Sequence, residues 1–171
     1  MQVDNGTNTF AVYEDAVEYY GMAEVTLPEI SAKNEEISGA GIGGGFNAPY
    51  VGQTEPMSIT LNFRRTSKEA VRLSEPRNHQ LDLRGAQQLW DNTAGRFKTQ
   101  AVKHVVIGFP TKTNPGKLAN ASPTDGSCEL SVTYFATFID GEKVLEVDVL
   151  SNIYYVSGTD YAEDVRKAVG K

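Results

Sequence analysis

Cysteine is nearly absent from the 171 residues: Cys128 is the only one, so no internal disulfide framework can hold the chain together. Its place in a strand-like pattern predicts a packed, reduced thiol, in keeping with intracellular synthesis. Histidine is scarce too. His79 and His104 lie far apart in sequence and, with Cys128, offer no HxxxH or CxxC spacing for zinc, so structural roles are expected and no metal site is predicted. No GxSxG elbow is present, paired acids such as Glu14-Asp15 and Glu35-Glu36 sit in polar, turn-like surroundings, and no catalytic residue stands out. Basic charge is also short, for the net charge is −6, which argues against a protein that grips nucleic acid through its phosphates. The first twenty residues have no basic start and no long apolar run, so neither a signal peptide nor a membrane span is expected and the chain should be soluble.

What is present is alternation. Met57, Ile59, Leu61 and Phe63 alternate with Ser58, Thr60, Asn62 and Arg64, the pattern of a two-faced strand. Residues 128 to 156 read as two long strands joined at Asp140-Gly141, a pair suited to a type I′ hairpin turn. In the first, Leu130, Val132, Tyr134, Ala136 and Phe138 fall on one face. In the second, Leu145, Val147, Val149 and Ile153 oppose Glu146, Asp148 and Asn152. A second hairpin is predicted from 79–91 and 97–109 around a turn at Asn92 to Gly95. Near the N-terminus, an extended polar segment leads to short strands at Phe10, Val12 and Val17 to Tyr20, divided by a Glu14-Asp15 turn. Another strand runs from Met22 to Ile30, with Pro28 marking an edge or bulge.

Helix signals are few. Thr66 and Glu69 make a capping box for about two turns that Pro76 stops, and Asp160 with Glu163 caps a terminal helix whose apolar positions are Tyr161, Val165, Ala168 and Val169. A Gly-rich extended loop is expected over 31–54 and a Pro-rich loop over 110–127, within a single domain spanning 1–171. The fold class is therefore mainly β, an antiparallel sandwich or half-barrel with a short internal helix and a C-terminal helix.

Gly39, Gly41 and Gly44 satisfy GxGxxG, yet Asn47 and Pro49 interrupt where a helix should follow and the chain has no strand-helix series, so no nucleotide cofactor is predicted. Gly116-Lys117 lacks the glycine spacing of a P-loop. If the strands around 24–26 and 58–64 pair, Glu24, Thr26, Ser58, Thr60, Asn62 and Arg64 form one hydrophilic face, suited either to bulk solvent or to a water-filled lumen.

The order Val25-Thr26-Leu27-Pro28, Gly39-Ala40-Gly41, Thr133-Tyr134-Phe135, Asp140-Gly141, Glu146-Val147-Asp148, and Gly158 with Asp160 before Arg166-Lys167-Ala168 resembles the major tail tube protein of contractile-tailed phages. Related phage-tail-like bacteriocins use the same component. The resemblance covers the first 60 and last 45 residues and departs over 76–127. It implies a non-enzymatic structural subunit whose hexameric rings, built around a continuous inner β-barrel, stack into a hollow tube within a contractile sheath. It implies DNA in transit without specific binding, and sheath, tape-measure, baseplate and tail-terminator proteins as partners. The place would be the virion tail or a bacteriocin particle, assembled in the host bacterial cytoplasm. The six polar residues become lumen candidates, with Glu24 foremost. Gly39, Gly41, Ile42, Phe46 and Tyr50 become candidates for contact between subunits or rings, and the terminal helix becomes a clasp on the ring exterior. A DNA-free tube, or a monomeric β-sandwich binding a ligand through the glycine loop with Tyr50, Trp90 and Tyr155, are the alternatives.

Overall fold

The alternation around Met57–Phe63 is realised in a computed structural model, which describes residues 1–19 and 21–171: Met57, Ile59, Leu61 and Phe63 are all buried and Ser58 is exposed. In chain order the strands are β1 (Gln2–Glu14), β2 (Val17–Glu18), β3 (Met22–Thr26), β4 (Ala32–Ile37), β5 (Phe46–Thr54) and β6 (Met57–Phe63). After helix α1 (Lys68–Arg72) come β7 (His79–Asp91), β8 (Arg96–Asn114), β9 (Gly126–Ile139), β10 (Glu142–Asp148), β11 (Ile153–Val156) and β12 (Thr159–Asp160), and helix α2 (Glu163–Ala168) ends the series. The fold is mainly β and every strand pair is antiparallel.

Strand β9 organises the sheet. β8 runs along one edge of it; on the other edge β6 pairs with Gly126–Val132, whereas β10 pairs with Tyr134–Ile139. The two wings, β6–β3 and β10–β11–β12, diverge at Thr133, where the β8–β9 register shifts between Ile107 and Gly108. A bulge of this kind bends its strand and strengthens its twist, so one sheet can wrap a core. Val12, Ile59, Leu61, Leu81, Val106, Leu130, Phe135 and Val147 meet in that core, each large aliphatic side chain contributing about 1.5–3 kcal/mol of burial.

The bulge also changes the predicted facing of β9. Leu130 and Val132 point into the core as expected, but beyond Thr133 the phase slips by one and Phe135 is buried in place of Tyr134. Tyr134 turns to the opposite face and donates to Glu146 at 2.7 Å. The Asp140-Gly141 turn has positive φ at both residues, 49° and 83°, as a type I′ turn requires. The second run is not continuous: the chain turns at 149–152, leaving Val149 and Leu150 exposed, because Asp148 Oδ1 accepts the Leu150 and Ser151 N–H groups, both at 3.0 Å. β11 then folds back on β10 and occupies the edge that a simple hairpin would leave open.

Other boundaries move for local reasons. Most of the predicted loop 31–54 is a two-stranded ribbon, β4 against β5, with only 38–45 as its tip. Its strands rest no face on a core, so they lack the alternation that reveals a strand, and Pro49 is tolerated because both strands are edges. The predicted loop 110–127 shrinks to 115–125, since β8 continues to Asn114 past Pro110, where its far edge is unpaired among the described residues. β3 stops at Thr26, two residues short of Pro28. The expected strand at Val17 to Tyr20 is reduced to β2, and Tyr20 lies outside the described residues. The cap of α1 is Ser67, not Thr66: its Oγ accepts the Ala70 N–H at 3.1 Å. Ala162 occupies the cap position of α2, because Asp160 spends its carboxylate on the Ala162 and Tyr154 N–H groups and on Arg166.

Candidate assembly surfaces

The sheet assembles the predicted polar face from two strands. Glu24 stands opposite Asn62 and Thr26 opposite Thr60, and cross-strand partners share a face, so Glu24, Thr26, Ser58, Thr60 and Asn62 lie together. Val25 and Leu61 point the other way, with Leu61 in the core and Val25 packed against it. Arg64 falls one residue beyond β6; it is exposed, and its backbone N–H donates to the Gly21 carbonyl at 3.0 Å. β9 extends the polar face with Ser127, Glu129 and Ser131, opposite Asn62, Thr60 and Ser58. Their alternation with Cys128, Leu130 and Val132 was the available signal, but only the register joins them to β6. Farther across the sheet the same side changes character. Lys103 lies over the Phe138 ring at 5.6 Å and Lys143 over the Tyr155 ring at 4.4 Å, so the small, hydrophilic surface is confined to the β3–β6–β9 wing.

The predicted inter-subunit residues all lie on the β4–β5 ribbon. Gly39, Gly41 and Ile42 form its tip, with the Ile42 N–H donating to the Gly39 carbonyl at 3.1 Å and Gly41 at φ 88°. Phe46 pairs with Ile37 at the neck, and the Tyr50 hydroxyl donates to Glu35, which raises its pKa above the ordinary tyrosine value. Ile37, Ile42, Phe46, Tyr50 and Val51 are all exposed. The ribbon is anchored at its base, where the Glu55 N–H donates to the Ser31 carbonyl and Gly52, at φ 78°, brings the chain against Ala162. The glycine run therefore leads into a strand, β5, and the helix N-terminus that a dinucleotide site requires does not follow it.

Several strand edges of the large sheet are open among the described residues, including β8 beyond Gly108 and the outer edge of β12, and two of them lie on β1 and β3. β2 covers only Tyr13 and Glu14 of β1, so the edge from Gln2 to Ala11 faces no strand. β3 pairs with β6 alone and presents its other edge. Unpaired edges of this length are ready templates for another chain. Helix α2 adds an uncovered apolar surface, with Tyr161, Val165 and Val169 exposed.

The scarce reactive side chains are absorbed by structure. The His104 ring stacks on Phe135, its centroid 5.5 Å away, and Nδ1 meets Thr137 at 2.9 Å; burial pushes its pKa down. Cys128 is buried, which pushes its thiol up and suppresses the nucleophilic thiolate. His79 belongs to a buried network missed in the sequence: Nδ1 donates to Glu14 at 2.7 Å and Nε2 to the Glu75 carbonyl at 3.0 Å. Arg77 joins Glu14 at 3.0 Å and Tyr19 donates to its other oxygen. Of the three aromatics considered for ligand binding, only Tyr50 is exposed; Trp90 packs edge-on against Phe97, and Tyr155 is half-buried.

Comparison with known proteins places this arrangement. Residues 5–170 match the family model described as phage tail tube protein FII. The tail tube protein of Escherichia phage P2 is 24% identical over 172 residues, covering 93% of each chain. Among solved structures, the sheath/tube terminator of the extracellular contractile injection system PVC aligns with a TM-score of 0.54 at 17% identity, over 77% of this chain and 94% of that one. A chain of the PVC sheath-tube complex aligns with a TM-score of 0.50 at 18% identity, over 75% of this chain and 87% of that one. With its open edges, its polar sheet wing and a match along nearly its whole length, the chain belongs to the phage tail tube protein FII family, which is structural rather than enzymatic.

Proposed function

We propose that six copies close into a ring, that rings stack into a hollow tube within a contractile sheath, and that the tube conducts DNA during ejection. The observation that carries this reading is the pair of open edges on one sheet, β1 at one end and β3 on the opposite wing. Adding the β3 edge of one copy to the β1 edge of the next is a heterologous contact, and a rotation that closes turns six sheets into one edgeless barrel. The wing bearing Glu24, Thr26, Ser58, Thr60 and Asn62 then lines the channel: small hydroxyl and amide groups keep it wet, and its acids repel phosphate. Family membership supports a tail location, with assembly in the host cytoplasm. The names of the PVC neighbours support a surrounding sheath and a terminator as partners; tape-measure and baseplate contacts belong to the same reading.

Electron microscopy of the purified protein tests it. Hollow rods or six-fold rings are expected, whereas a featureless monomer at every concentration overturns the proposal. A monomeric ligand-binding module would give that second result.

A further inference from the structure

The charged residues of this acidic chain are segregated. Glu29, Glu35, Glu36 and Glu55 lie on or beside the β4–β5 ribbon, against the single base Lys33. The opposite composition occurs at the end of β6 and on α1, where Arg64, Arg65, Lys68 and Arg72 face only Glu69. Arg72 lies 3.8 Å from Asp15, but Arg64, Arg65 and Lys68 are exposed and make no ion pair among the described residues. Beside these cations an open crevice between α1 and the β8–β9 connection is lined by Phe63, Ala70, Val71, Pro115 and Cys128, with Arg65 and Thr66 at its rim. Lys117 nearby is paired with Asp125 at 3.5 Å.

The ribbon has the matching form. It is two strands wide, presents exposed Ile37, Ile42 and Phe46 at its outer end, and carries Glu35 and Glu36 on the strand leading to that end. Six residues of strand extend about 20 Å, enough to cross a subunit boundary. Its own base is held against Ala162 by Gly52, so the ribbon's tip is the part left to find a partner. We infer that the tip of the β4–β5 ribbon of one copy docks into the crevice beside α1 of a second copy, apolar side chains in the groove and Glu35 and Glu36 against Arg64, Arg65 and Lys68. This rests on the tube reading, and it names the receiving site for the ribbon.

The two surfaces are solvent-exposed, so charge reversal leaves each subunit folded, as a circular dichroism spectrum and melting curve would verify. In the E35K/E36K variant and in the R65E/K68E variant, the concentration at which rods appear is expected to rise about tenfold or more, since each contact loses its ion pairs and gains repulsion. Combining the four substitutions restores opposite charges and should recover rods near the wild-type concentration. Raising salt should weaken wild-type assembly and narrow the gap between wild type and each reversed pair. If either reversed pair assembles like the wild type, or if the combination fails to rescue, the docking site is wrong while the tube stands. If the wild type itself never forms rods or rings, the tube reading fails first.

Discussion

Glu14 shows how one buried charge sets local order. Burial pushes its carboxyl up, but hydrogen bonds from Tyr19 and His79, with the charges of His79 and Arg77, outweigh that and hold it below its ordinary 4.5. Both His79 nitrogens face oxygen acceptors, the Glu14 carboxylate and the Glu75 carbonyl. Burial, reinforced by the bond to Glu14, raises the Tyr19 hydroxyl above its usual range, so it remains a donor. The network ties the end of β1 that β2 covers to the α1–β7 connection. Removing the anion takes the carboxylate from the fully buried His79, while the partly exposed Arg77 keeps Glu75 at 2.7 Å, and Glu14→Gln should cost about 3 kcal/mol in urea denaturation at neutral pH. A depressed carboxylate pKa stabilises the fold above the unfolded value, and that share is lost as pH falls below 4.5 through the folded value. The gap between wild type and Glu14→Gln should therefore shrink in acid; a gap constant with pH would remove the ion pair from the account.

At the scale of elements, the fork at β9 depends on close approach of two backbones. A Cβ on Gly108 would stand 2.3 Å from the Ser131 carbonyl oxygen, a backbone atom that cannot rotate away. Gly108→Ala should lower stability by about 2–3 kcal/mol, with the loss visible as a lower denaturation midpoint. Asp148 is a gentler case: its carboxylate holds the turn that separates β10 from β11, and Asp148→Ala should cost about 1 kcal/mol. Neither role could be read from the chain. Gly108 sits inside an apolar run and Asp148 in a plausible alternation, and each acquires meaning from a partner, Ser131 or the residues after the turn. What was legible is what one strand decides alone: the two faces of β6, the Asp140-Gly141 turn, the β7–β8 hairpin and the polar set on β3 and β6. The phase of β9 beyond Thr133 was not, because a bulge is a property of two paired strands. The β4–β5 ribbon was hidden for the complementary reason, that strands without a core face need no hydrophobic period.

For the whole molecule, charge joins sequence to the proposed task. In the proposed six-membered ring the chain's −6 would be multiplied sixfold, and since DNA carries about one charge per 1.7 Å of duplex, acids on the proposed lining would keep the passage slippery. On the β3–β6–β9 wing the acids are Glu24 and Glu129, and Glu129 faces Lys112 of β8 across the register, which leaves Glu24 the less compensated. Glu24 is exposed on an open strand, so Glu24→Lys should leave folding and tube formation intact. In an infectious particle the substituted lining attracts phosphate once per subunit at each ring, and DNA ejection should slow at low ionic strength. The Debye length falls from about 30 Å at 0.01 M salt to about 10 Å at 0.1 M, so the slowing should fade as salt rises. Ejection kinetics from purified particles across that range decide the point: rates equal to wild type at every salt concentration would place Glu24 away from the channel, and with it the face shared by Thr26, Ser58, Thr60 and Asn62.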